Sequence, residues 1–236
     1  MNLLLLLNSD IHSATSLKLL APHLQNHKIG IILSQKVGNT DSLAQELIQM
    51  KRVEQLGAAE IFVDLAAQLN AKITAFSSVN SAEALAEFKE FAPDLMISIR
   101  FGQIFKPALI ATSRLGVLNL HSGILPNYRG VMASFWAVLN GEKNLGTTLH
   151  FVRDAGIDTG DIIGFSHSEI DWNLSLVQNI NNLYRGGCEL ILQTLQKISA
   201  GEKIDSVNQK TLGAGQYFSY PQKEDVEKFL KLMRLV

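Results

Sequence analysis

A chain of 236 residues with a single cysteine, Cys188, cannot close an internal disulfide and cannot build a cysteine-type metal site. That scarcity fits a reducing compartment. Charge of one sign is lacking as well. The 21 Lys and Arg stand against 22 Asp and Glu, a formal net charge of −1, so bulk attraction does not recruit nucleic acid. Long apolar runs are missing too. The N-terminal MNLLLLLNSD holds five leucines followed at once by Asn8, Ser9 and Asp10, with no basic residue ahead of them. It is too short and wrongly flanked for a secretory leader. No other run approaches the ~20 residues that span a bilayer. The expectation is a cytoplasmic chain with no membrane partner.

Several signature motifs are also absent. G-x-G-x-x-G does not follow the first apolar run, where NSDIHSATS stands instead, and neither G-x-x-x-x-G-K-[ST] nor HExxH occurs. Nicotinamide, P-loop and zinc-protease readings lose their main support. His12, His23, His27 and His167 have no second ligand at metal spacing, so no metal is expected.

What is present describes a packed globule, because 47% of the residues are hydrophobic and only 18% are charged. Leu3 to Leu7, Lys28 to Ser34, Asp94 to Ile99 and Gly116 to His121 are near-continuous apolar runs, the composition of strands buried on both faces. Lys72 to Phe76 has strand composition as well. Between them, Leu17, Leu20, Ala21 and Leu24 fall at i, i+3, i+4, i+7, with Pro22 expected to bend or end that helix early. Helical spacing recurs over Thr40–Met50 and Gly57–Leu69. Asn80 with Glu83 predicts a capping box for a helix running to Phe91 and stopped by Pro93. This alternation predicts an α/β fold: a Rossmann-like, mostly parallel twisted sheet with helices on both faces.

After His121 the pattern loosens into a loop with Pro126 and Gly130, a helix over Met132–Asn140, and strands through Thr147–Val152 and Asp161–Ile170. A long helix is predicted from Leu174 to Ser199, with Cys188 in its core face. The remaining 36 residues read as irregular until a short charged helix from Lys223, whose alternating acids and bases suggest a solvated face. Residues 1–200 are therefore expected to form the body and 201–236 an extension packed on it.

Ligands of such sheets bind at the carboxyl ends of the strands. Asn119 and His121, two apart, project to one side of a strand end, and the loop RDAGIDTGDII can bring Asp158 towards them. An amide donor, an imidazole and a carboxylate form a plausible acyl-transfer set. The plain alternative is a strand-end Asn and His that cap a turn and satisfy backbone groups. His150, inside an apolar strand, is read as structural, and Tyr217, Phe218 and Tyr220 as aromatics that pin the tail, with stacking on an acceptor base or sugar as the alternative.

The run NLHSGILPNYRG, then WAVLNGE, then GTTLHFVRDAGIDTGDII, resembles the folate-dependent formyltransferase family over Gly116 to about Ile163. The resemblance implies that family's N-terminal catalytic fold, 10-formyltetrahydrofolate as formyl donor, and a primary amine of a small molecule as acceptor. It implies direct transfer through a tetrahedral intermediate, with Asn119, His121 and Asp158 as catalytic residues. The folate contacts it implies are backbone groups of Arg100, Phe101, Gly102, Gln103 and Ile104, facing Asp154, Ala155, Gly156 and Ile157. On the acceptor side it implies Ser9, Asp10, Tyr128, Arg129 and Gly130, with Arg129 able to grip a phosphate or carboxylate. A nucleotide-linked amino sugar ranks first as acceptor and glycinamide ribonucleotide second. The initiator-tRNA branch is set aside because the basic C-terminal domain of that branch has no counterpart here. A hydrolase of the same formyl-folate, or a folate-binding module without turnover, are the remaining alternatives. A homodimer is compatible with all of these readings.

Overall fold

The computed structural model describes residues 1–34 and 43–236. Strand β1 (Asn2–Asn8) is flanked by β2 (Lys28–Ser34) and β4 (Leu95–Ile99), both parallel to it. Beyond β2 lies β3 (Lys72–Thr74). Beyond β4 lie β5 (Val117–His121), then β7 (Asn144–Val152) and β8 (Ile162–Glu169), giving the order β3-β2-β1-β4-β5-β7-β8. β7 and β8 run antiparallel to their neighbours. The pleat of β1 explains its unbroken leucines: Leu3, Leu5 and Leu7 enter one core, and Leu4 and Leu6 the other. Each leucine so buried contributes about 1.5–3 kcal/mol.

Helices cover both faces, as expected. On the first lie α1 (Ile11–Leu24), α2 (Gln45–Gln55), α3 (Ala58–Gln68) and α7 (Leu176–Ser199). On the second lie α4 (Ala82–Phe91) and the single turn α5 (Pro107–Ile110). Pro22 sits in the last turn of α1, which ends two residues later. The expected helix over Thr40–Met50 begins instead at Gln45, and its positions 40–42 lie outside the described residues. Leu174 and Ser175 fall outside α7, because the Ser175 side chain and Gln178 form a capping box there.

The capping box expected at Asn80 does not form, and a simple cap one residue later takes its place. Ser81 caps α4 by accepting from the Ala84 N–H at 3.2 Å. Asn80 is engaged elsewhere, donating to the Ile104 carbonyl at 2.8 Å and accepting from the Lys106 N–H at 2.9 Å. The intended cap thus fastens the loop that follows β4.

The tail is more ordered than its composition suggests. Val207 and Ile162 exchange two backbone bonds at 2.8 Å, and a 3-10 turn follows at Gln209–Leu212. Then β9 (Tyr217–Phe218) pairs in parallel with β6 (Arg129–Gly130). The closing helix α8 (Lys223–Phe229) is not merely a solvated face. Val226 and Phe229 are buried, and Phe229 stacks 4.3 Å from Phe135 of α6 (Ala133–Leu139). No helix among the described residues is long and apolar enough to cross a membrane.

The strand order reverses between β1 and β4, so the chain leaves their carboxyl ends in opposite directions and opens a crevice there. The ends of β1, β4 and β5 deliver Asn8, Arg100 and His121 to it.

Candidate active site

A cavity of about 680 Å³ occupies this crevice, within the range expected of small-molecule sites. Asn119 and His121 of β5, His150 of β7 and Asp158 of the β7–β8 loop meet on its wall.

The carboxylate of Asp158 is the hub of this group. Its Oδ2 accepts from the Gly130 N–H at 2.9 Å and lies 3.5 Å from His121 Nδ1. Its Oδ1 lies 3.4 Å from Asn119 Nδ2 and 3.6 Å from His150 Nε2. Burial would raise the pKa of this carboxyl, but His121, His150 and the Gly130 N–H outweigh it and bring it down to about 2. Asp158 is therefore a carboxylate at any working pH.

Each histidine is oriented by a main-chain carbonyl. His121 Nε2 faces Tyr128 O at 2.6 Å and must donate, which leaves Nδ1 towards the carboxylate. His150 Nδ1 faces Phe151 O at 2.9 Å, so its Nε2 is free to accept from Asn119 Nδ2 at 3.0 Å. Reading His150 as structural therefore understates it. It lines the cavity and touches both Asn119 and Asp158, a role that depends on its standing opposite Asn119 in the β5–β7 register.

The backbone of Asp158 is left-handed, at φ 52°, an unfavourable state for a residue with a Cβ. Two carbonyls of its turn, those of Asp158 and Gly160, accept from the same buried amide, Gln209 Nε2, at 2.9 and 2.6 Å. Nothing in the local spacing around Asp158 points to a residue so distant.

The expected folate segments, Arg100 through Ile104 and Asp154 through Ile157, both line the cavity. Parts of their backbone are already engaged: Gly102 N–H donates to Ser34 Oγ at 3.0 Å, and Gly156 N–H to Asp154 Oδ1 at 2.7 Å. Phe101 and Phe105 stack at 5.6 Å between centroids and give this end an aromatic wall. The side chain of Arg100, rather than its backbone, makes the notable contacts. It donates from Nε to Asp10 Oδ2 at 2.7 Å and from Nη2 to Glu54 Oε2 at 3.3 Å. Glu54 Oε1 meets His12 Nε2 at 3.1 Å. Burial opposes ionisation of Asp10 and Glu54, yet Arg100 and His12 hold both carboxyls below their usual range.

The expected acceptor residues divide. Asp10 and Gly130 line the cavity; Ser9, Tyr128 and Arg129 do not. Ser9 N–H is tied to Ser34 O at 2.7 Å, and the Tyr128 phenol donates to Glu142 at 2.8 Å. Tyr128 contributes instead through its carbonyl on His121. Arg129 lies in the short β6–β9 pairing. Lys51 of α2, unforeseen in the sequence, donates to the Tyr220 hydroxyl at 2.8 Å, and both line the cavity.

The family described as formyl transferase matches residues 31–195. The methionyl-tRNA formyltransferase of Clostridium beijerinckii is 35% identical over 122 residues, 52% of this chain and 39% of that protein. The one of Syntrophomonas wolfei is 31% identical over 162 residues, 69% of this chain and 51% of that protein. The chain thus spans about half the length of these curated relatives or less. Among solved structures, an N-formyltransferase from Helicobacter canadensis, in complex with folinic acid and dTDP-3-aminofucose, is similar with a TM-score of 0.62 at 23% identity, over 95% of this chain and 72% of that one. Glycinamide ribonucleotide transformylase 1 from Symbiobacterium toebii gives a TM-score of 0.61 at 16% identity, over 87% and 92%. At such identities the likeness is one of fold.

Proposed function

Because this chain belongs to the formyl transferase family, matched over residues 31–195, we propose that it transfers a formyl group from 10-formyltetrahydrofolate directly to a primary amine. The observation that carries the reading is the convergence of Asn119, His121 and Asp158 on one cavity wall. The folate supplies the formyl carbon. Its heteroaromatic ring suits the slot between the Phe101–Phe105 wall and the Asp154–Ile157 turn.

The residues of the chain handle charge and proton. As the amine nitrogen bonds to the formyl carbon, negative charge grows on the formyl oxygen, and Asn119 Nδ2 and His121 Nδ1 are the donors aimed at the same space. Their distances of 3.4 and 3.5 Å to Asp158 are long for charge-assisted bonds, so turning towards a new oxyanion sacrifices little. Asp158 faces His121 Nδ1 and, through water, takes the proton that the amine loses. Cleavage of the bond from the formyl carbon to the folate nitrogen completes the exchange, and that nitrogen leaves with the proton relayed from the amine.

A nucleotide-linked amino sugar is the acceptor we favour. The N-terminus of α1, where a phosphate would otherwise find backbone N–H groups, is filled by the chain's own Asp10, which accepts from Ser13 N–H at 2.8 Å. Glycinamide ribonucleotide, whose single phosphate is its anionic handle, would lack that cradle. The names of the curated relatives favour a second reading, an aminoacyl-tRNA acceptor.

The test follows tetrahydrofolate formation by absorbance with purified protein, 10-formyltetrahydrofolate and separate pools of nucleotide amino sugars, glycinamide ribonucleotide and methionyl-tRNA. Turnover that requires the first pool supports the favoured reading, and turnover that requires another pool replaces its acceptor. Turnover without acceptor would identify a hydrolase. Tight folate binding with no turnover in any pool would leave a binding module.

A further inference from the structure

Gln209 lies beyond the segment that matches the family, yet its side chain grips the turn that presents Asp158. It is 5% exposed, in the first turn of the 3-10 segment, and one amide nitrogen bridges the carbonyls of Asp158 and Gly160. Its own placement is secured from both sides. Val207 is laddered to Ile162 of β8, and Asn208 caps the turn by accepting from Lys210 N–H at 3.0 Å.

The bridged turn is strained. Asp158 is held in the left-handed region, and such conformations persist only where neighbours over-determine them. Within the loop the Asp154 carboxylate accepts from Gly156 N–H at 2.7 Å and from Thr159 Oγ1 at 3.5 Å, and as an acceptor it can hold neither carbonyl. The Gln209 amide is the contact that draws the carbonyls of residues 158 and 160 together, and with the backbone so fixed the Asp158 side chain leaves the turn towards His121, Asn119 and Gly130 N–H.

We propose that Gln209 is a positioning residue for formyl transfer, supplied by the C-terminal segment and acting through Asp158. This rests on the reading of the site as a formyltransferase, and it adds a contribution of the tail to the rate of the chemical step. Support of this kind for reacting groups typically amounts to ten- to a hundredfold.

The experiment compares Gln209→Ala and Gln209→Glu, each alone and combined with Asp158→Asn, in formyl transfer to whichever acceptor the wild-type protein accepts. Gln209→Glu keeps the shape and replaces the donor with an acceptor facing two carbonyls. We expect kcat to fall about ten- to a hundredfold in both single variants, with the folate KM within about threefold of wild type. In the Asp158→Asn background the same changes should cost little more, because the group they position is already lost. An equal loss in both backgrounds, or a fully active Gln209→Glu, overturns the proposal.

A readout independent of turnover separates this from the function itself. The ring-nitrogen NMR signals of His121, which report its pairing with Asp158, should move in Gln209→Ala in the same direction as in Asp158→Asn. Unmoved signals overturn the proposal even if transfer is robust, and moved signals sustain the positioning role even if no acceptor is turned over. Should Gln209→Ala fail to fold, Gln209→Glu carries the same comparison.

Discussion

Asn119 Nδ2 donates to His150 Nε2 across the β5–β7 ladder at 3.0 Å, and the two residues are direct register partners. The bond fixes the amide plane, so that the donor also faces Asp158. We expect His150→Phe, which removes the acceptor, to lower kcat by about tenfold or more, and His150→Gln, which can still accept, to recover part of the loss. Steady-state kinetics on both variants, with folding checked by circular dichroism, decide it. Equal activity of the two would show that the ring only fills space.

Removing a donor outright should cost more. Asn119→Ala and His121→Ala each delete a group that stabilises developing charge, and losses of this kind run to about a hundred- to a thousandfold in kcat. Combined, they should lose less than the product of the single effects, since both donors address one oxygen. Retention of more than a third of wild-type activity in His121→Ala would remove it from the proposed mechanism.

These residues were not equally legible in the sequence. Asn119 and His121 could be read because two positions along a strand share a face, and the central strands because burial on both faces leaves an unbroken apolar run. The role of His150 needed the β5–β7 register, which no local pattern prints. Gln209 lies 51 residues from the carbonyl it holds, and Arg100 lies 90 residues from Asp10 and 46 from Glu54, distances over which spacing carries no signal. The start of α7 is a different case, because Ser175 and Gln178 stand in the sequence as a legible capping box. At α4 two adjacent capping residues competed, and the loop after β4 took Asn80. The β6–β9 ladder has two residues on each side, too few for any periodicity.

The Arg100 network should respond asymmetrically to substitution. Arg100 is 17% exposed in its side chain and is the cation between two buried acids, so Arg100→Ala strands Asp10 and Glu54. Breaking a buried pair from one side costs about 3–5 kcal/mol. Arg100→Ala combined with Asp10→Asn and Glu54→Gln should recover a large part of that loss. Urea unfolding of the single and triple variants measures the difference, and a single variant within about 1 kcal/mol of wild type would show that water or movement compensates the acids.

Asp158 gives the fold a defined acid limit. Its pKa is about 2 when folded against an ordinary carboxylate value of 3.8, so the ionised form is favoured by folding. The stability this supplies is fully present well above pH 4 and disappears as the pH falls through about 2, with a total on the order of 2 kcal/mol. About half of it should be gone at pH 3. Asp158→Asn does not titrate there, so the gap in unfolding free energy between wild type and variant should narrow by about 1 kcal/mol from pH 6 to pH 3, measured by urea titration at each pH. A constant gap would mean that the carboxylate is no better stabilised in the folded protein than in the unfolded chain. The same ionisation makes a statement about activity: over pH 5 to 9 Asp158 carries its charge throughout, so no limb of the pH–rate profile in that range belongs to it. A limb that remains, shifted or not, in an Asp158→Asn variant with residual activity fits that assignment, and a limb that vanishes with the substitution contradicts it.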